Sequence, residues 1–193
     1  MKLKTKNLKG FAACLSACGT DECRECLTGV LIKTSGEAVA TDGTCLISCK
    51  DAFEPFEGDD VLLKFGKLTS SHINSNFPIE VNILEGYESY ATFFCGRTYS
   101  KSKSLRKIVA VDVLDKENFP DTKKFLKEYK TNRLPNGIFF QTKYIDKAAK
   151  IINGNHISSC SFMFNGELEP VQTKIKCHDG YEDVFVVTMP MRQ

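Results

Sequence analysis

The chain has 193 residues, 42% of them hydrophobic and 26% charged, and a formal net charge of +2. That length holds one large domain or two small ones with a substantial core. No apolar run approaches the ~18 residues a membrane helix needs, and Met1-Lys2-Leu3-Lys4-Thr5-Lys6 leads into no signal-type apolar segment, which predicts a cytoplasmic protein.

Nine cysteines is a high, odd count, and several lie inside apolar runs, as Cys95 does after Phe93-Phe94 and Cys160 before Ser161-Phe162. Buried reduced thiols are the expectation, not a disulfide framework. The small net charge hides a pattern: lysines cluster near the start, at 101–107 and at 123–130, while acidic residues gather at 51–60. A polarised surface of this kind allows a phosphate-facing side.

In chain order, Leu8, Phe11, Ala12, Leu15 and Ala17 recur at helical spacing, which predicts a first amphipathic helix over 7–18, stopped by Gly19. Residues 26–33 read as a strand, and 38–40 and 45–49 as two more around the Thr41-Asp42-Gly43 turn. After the acidic loop come a strand at 61–65, a weak helix at 66–76, and strands at 79–84, 87–94 and 107–114. A short helix is expected over 122–130, a strand at 138–141, a helix over 143–153 with Ile145, Ala148, Ala149 and Ile152 inward, and strands at 159–164, 171–177 and 183–189. The last of these runs into Met189-Pro190-Met191-Arg192. Pro190 cannot donate to a ladder and suits a strand's edge or end, and the thioethers of Met189 and Met191 suit a surface that accepts varied apolar ligands. Turns too short for crossovers make the class α+β with mostly antiparallel strands, and helix-then-strands occurring more than once points to an internal repeat.

Four segments in this order resemble the β sliding clamp, the processivity subunit of the bacterial replicative DNA polymerase. They are Arg24-Glu25-Cys26-Leu27-Thr28-Gly29-Val30-Leu31, Val39-Ala40-Thr41-Asp42-Gly43-Thr44-Cys45-Leu46, Phe119-Pro120-Asp121-Thr122-Lys123-Lys124-Phe125 and Val187-Thr188-Met189-Pro190-Met191-Arg192. The resemblance implies a DNA-clamp-like fold of helix-plus-antiparallel-sheet repeats. It also implies one complete clamp domain over 1–117, like the family's middle domain, and a shortened second over 118–193, like the end of its last domain.

The resemblance further implies a groove between the two parts for short linear peptides of polymerase, clamp loader or repair proteins. By position that groove takes in Leu27, Thr41, Gly43, Thr44, Cys45, Leu46, Pro120, Phe125, Val187, Met189, Pro190, Met191 and Arg192. An apolar slot of this composition receives the aliphatic or aromatic anchors of an extended peptide. Two departures change it: Thr44-Cys45 stands where the family has His-Arg, and Phe125 replaces a smaller aliphatic residue.

Clamps of this family form rings that touch DNA phosphates from their inner helices. Here Lys6, Lys9, Lys123, Lys124, Lys127, Lys130, Lys147 and Lys150 are the positions expected to face double-stranded DNA without reading bases. Ring closure by so short a chain needs a homo-oligomer. Three other readings compete. A clamp-like adaptor or decoy keeps the groove without the ring. A zinc module would use Cys14, Cys18, Cys23 and Cys26. An enzyme is the least supported: His72, His156 and His178 fall in no nucleophile arrangement, and no phosphate loop is present. No cofactor is expected.

Overall fold

The structure, a computed structural model, describes residues 1–67, 78–95, 105–126, 142–153, 159–164, 169–177, 181 and 183–189. The expected helix at 66–76 and strand at 138–141 lie almost wholly or wholly outside these residues.

Eleven strands form one sheet in the order β1-β6-β7-β8-β5-β2-β3-β4-β11-β10-β9, and every pairing is antiparallel. In chain order they are β1 (Lys2–Lys4), β2 (Val30–Ile32), β3 (Ala38–Thr41), β4 (Cys45–Cys49), β5 (Val61–Phe65), β6 (Glu80–Asn82), β7 (Ser89–Cys95), β8 (Leu105–Leu114), β9 (Cys160–Met163), β10 (Val171–Ile175) and β11 (Val184–Thr188). Among the described residues two α-helices, α1 (Leu8–Leu15) and α2 (Lys143–Asn153), lie side by side over β3, β4 and β11. The sheet therefore runs unbroken from residues of the first 117 into the last strands. Its joint is β4 against β11, with Leu46 opposite Val187 and Cys45 opposite Thr188.

The core lies between helices and sheet. Ala38, Ala40, Cys45, Ile47, Cys49, Val184 and Val186 point toward α1 and α2 because alternate positions of a strand face one side, and they join Phe11, Ala13, Cys14, Ile145, Ala148 and Ile152 in one cluster. Phe11 meets Phe53 edge-on at 4.9 Å and Phe65 at 5.3 Å, a favoured aromatic geometry. Small residues bring α1 close to the sheet: a Cβ on Gly10 would lie 2.3 Å from Cys49 Sγ.

Several expected boundaries move. Helix α1 starts where expected, with Asn7 Oδ1 accepting from Gly10 N at 2.8 Å, but it ends at Leu15 and not at 18. There Ser16 Oγ donates to Ala13 O at 2.7 Å and takes up a terminal carbonyl, as hydroxyls near helix ends do. The strand expected at 26–33 is cut to Val30–Ile32, and a 3-10 helix over Glu22–Thr28 takes its first half. Asp21 caps this turn through Cys23 N at 3.0 Å, and Thr28 Oγ1 donates to Glu25 O at 2.8 Å. These local bonds compete with a ladder. In the same way the helix expected over 122–130 begins as a single 3-10 turn, Thr122–Lys124, capped by Asp121, and 127–130 lie outside the described residues. Strand β1 was not expected: it is three residues long, with buried Leu3 between exposed lysines at the sheet edge, where charge suits an unpaired rim.

Candidate functional site

On the sheet face away from the helices, the alternation of β3, β4 and β11 presents the other set of side chains. Val39, Leu46 and Val187 form a second apolar cluster there, separate from the main core, with Phe125 and Leu126 laid over it. The segment after β8 thus crosses the outer face of the β4–β11 joint. Gln172 on β10 holds it there by donating from Nε2 to Phe125 O at 2.5 Å.

The β3–β4 turn adjoins this cluster, since β4 carries Leu46. Gly43 has φ +90, a conformation that favours glycine, and a Cβ there would lie 3.3 Å from Arg24 Nη1 and 3.7 Å from Leu27 Cδ1. The 3-10 segment therefore lies directly against this turn. Thr41 Oγ1 accepts from Gly43 N at 3.0 Å and donates to Cys45 O at 2.6 Å, and Asp42 Oδ1 accepts from the backbone N–H of Thr44 and Cys45 at 2.8 and 2.9 Å. After β11, Met189 N donates to Thr44 O at 3.2 Å, and Met189 is 45% exposed.

The turn is also tied to α2. Tyr144, at the start of that helix, donates its hydroxyl to Asp42 Oδ2 and lies 3.1 Å from Thr44 Oγ1. Partial burial pushes the Asp42 carboxyl up, but the hydrogen bonds from Tyr144, Thr44 and Cys45 outweigh it and hold the group below its usual value. On the helix side, burial pushes the Cys45 thiol up, with the charge of Asp42 adding to the effect, so Cys45 is an inward apolar group and not a polar contact in the slot.

Of the residues expected to line a groove, Leu46, Val187 and Phe125 pack in the outer-face cluster, where Leu46 and Val187 are buried, Thr41 shares a strand face with Val39, Gly43 lies against Leu27, and Met189 is bonded to Thr44. Pro120 is exposed on the crossing segment before Phe125. Pro190, Met191 and Arg192 lie outside the described residues. Reasoning from sequence missed Val39, Leu126, Arg24, Gln172 and Tyr144. Val39 was open to it, being two positions from Thr41 on the same strand face; the Tyr144 tie joins residues 102 apart and has no local signal.

The lysines divide between the two faces. Lys9 is on α1, and Lys147 and Lys150 are exposed on α2, where Lys147 Nζ donates to Ser16 O at 3.2 Å and Lys150 pairs with Asp146 at 2.7 Å. Lys6 is exposed just before α1. Lys123 and Lys124 belong to the turn leading into Phe125, on the opposite face, and Lys127 and Lys130 lie outside the described residues. The four cysteines of the zinc reading do not come together. Cys14 Sγ donates to Ala38 O and Cys18 Sγ to Gly29 O, and among the described residues no group of three or more His, Cys, Asp or Glu could hold a metal.

An antiparallel sheet of this order, backed by paired helices on one face, is a DNA-clamp-like fold. Solved structures with that fold cover the whole of this chain: the DNA polymerase III subunit beta of Borrelia burgdorferi (TM-score 0.64, 12% identity, 64% of that chain covered), that of Thermotoga maritima (0.62, 18%, 65%) and the DNA polymerase sliding clamp of Pseudomonas aeruginosa (0.63, 14%, 66%). At these identities the likeness is one of fold, and the chain spans just under two thirds of the length of each. No protein-family model matches the sequence, and no curated protein does. Among the described residues no helix is long and apolar enough to cross a membrane.

Proposed function

We propose that the chain is a non-enzymatic, cytoplasmic, clamp-like processivity factor whose groove binds short linear peptides of polymerase, clamp-loader or repair proteins. The observation that carries this reading is the outer-face cluster of Val39, Leu46 and Val187 under Phe125 and Leu126. It is a buried apolar cluster assembled from segments nearly 150 residues apart, beside the residues to which the clamp resemblance gives a peptide site. An extended peptide would lay its apolar anchors beside that buried cluster, along the Gly43 turn and the exposed Met189, with Pro120, Thr44, Pro190, Met191 and Arg192 completing the slot. Domain limits of 1–117 and 118–193 fit this arrangement, as does a repeat in which a strand and a helix precede three strands: β1-α1-β2-β3-β4 follows that order, and α2-β9-β10-β11 follows its latter part.

For double-stranded DNA the proposal places Lys6, Lys9, Lys147 and Lys150 on the phosphate-facing side, because they accompany the helix layer. Lys123 and Lys124 are on the other face and fit a role beside the groove. Encircling DNA would require a homo-oligomer. A second reading is an adaptor or decoy that keeps the groove without a ring. Immobilised clamp-binding peptide should capture the protein under either reading, and failure to capture it contradicts both.

A further inference from the structure

Two thiols lie on the segment packed against the Gly43 turn. Cys23 is exposed and Cys26 half-buried on the 3-10 segment Glu22–Thr28. They lie on the two turns that meet at a break in this segment, and a disulfide would need their Cα atoms within about 4.4–6.8 Å. Both line the same cavity of about 340 Å³, with Arg24, Glu25, Leu114, Asp115 and Asn118. The residue between them that departs from helical geometry is Arg24, at φ −121 and ψ 62, held by its Nε on Asp21 Oδ2 at 3.1 Å. Arg24 and the following Leu27 are the side chains that lie against Gly43.

Five of the other cysteines are differently placed. Cys14, Cys45, Cys49 and Cys177 are buried, and burial pushes the Cys18 thiol up to about 12, which removes the thiolate that oxidation needs. Cys160 is half-buried on β9, 134 residues along the chain from Cys26.

We propose that Cys23 and Cys26 form a reversible disulfide on exposure to a hydroperoxide, and that this bond loosens the groove by re-setting the backbone at Arg24. The Cys23 thiolate attacks the O–O bond, giving a sulfenic acid and releasing the alcohol, or water when the oxidant is hydrogen peroxide. The Cys26 sulfur then displaces the sulfenic oxygen as water. Two thiols and one hydroperoxide thus give one disulfide, one alcohol and one water, the two electrons passing from sulfur to the peroxide. Drawing the two turns together changes the Arg24 torsions and moves Arg24 and Leu27 relative to Gly43.

The inference about the groove rests on the peptide-binding reading above; the bond itself does not. The full-length protein is treated with one equivalent of hydrogen peroxide, alkylated and digested with trypsin without reductant. Cleavage after Lys9, Arg24 and Lys33 gives peptides 10–24 and 25–33. They are expected as one disulfide-linked species that reductant separates and that Cys23→Ser or Cys26→Ser abolishes; alkylated Cys23 and Cys26 after oxidation overturn the proposal. In parallel, titration with a clamp-binding peptide should show oxidised protein about tenfold weaker than reduced, with Cys23→Ser/Cys26→Ser insensitive to oxidant. A cross-link with unchanged affinity overturns the regulation while the groove stands. A cross-link in protein that binds no peptide when reduced removes the groove reading and leaves the modification site.

Discussion

At the turn after β3, one carboxylate holds the chain in shape. Asp42 accepts from Thr44 N, Cys45 N, Thr44 Oγ1 and the Tyr144 hydroxyl, and these bonds favour its charged form. Its folded value is depressed below the unfolded value of about 3.9, so the stability it adds is fully present above that pH and is lost as pH falls through the folded value. Tyr144→Phe removes the donor that crosses from α2. The variant should be less stable by about 1 kcal/mol near neutrality, the lower end for a bond to a partly solvated charge. Chemical unfolding at a series of pH values checks this: the gap between the two proteins should close below about pH 4, as Asp42 is protonated. A constant gap across that range would place the tyrosine's role elsewhere.

At the scale of elements, α1 fits the sheet through the absence of a side chain. A Cβ at Gly10 would meet Cys49 Sγ at 2.3 Å and Asn7 Nδ2 at 2.8 Å, and Asn7 is the residue that caps α1 and also reaches Asp51 at 3.1 Å. Helix propensity favours Gly10→Ala by about 1 kcal/mol, but overpacking costs about 1–3 kcal/mol, and displacement of the cap adds to it. The expected outcome is net destabilisation, read as a lower denaturant midpoint, whereas a stabilised variant would mean that α1 rides higher on the sheet. The legibility of the elements follows their physics. Strands β4 and β5 and helix α2 have the bounds expected from sequence, because each is a periodic or apolar run between clear turn residues. The 22–28 segment was misread because Cys-Leu-Thr suits a strand as well as a turn, and the deciding bonds, Asp21 to Cys23 and Thr28 to Glu25, are side-chain choices that periodicity does not register. Strand β1 has one buried residue and no period to detect. The adjacency of β4 and β11 was legible through the family resemblance alone. Hydrophobic pattern says that each is a buried strand, not that they are partners.

At the scale of the molecule, the eleven-stranded sheet of the described residues leaves the helix layer on one face and the buried Val39, Leu46 and Val187 cluster on the other. A ring built from such units would place Lys147 and Lys150 toward DNA and the groove outward. If the chain closes a ring, closed circular DNA should retain it at low salt and release it on linearisation, whereas an adaptor would show equal, salt-sensitive retention on both forms. The most direct test of the groove is a fluorescence titration of a labelled clamp-binding peptide against the wild-type chain and Met189→Lys, a change at an exposed position. The account predicts saturable binding that weakens by about tenfold or more in the variant, with no change in melting temperature. Absence of saturable binding to the wild type, or equal binding to both proteins, would contradict it.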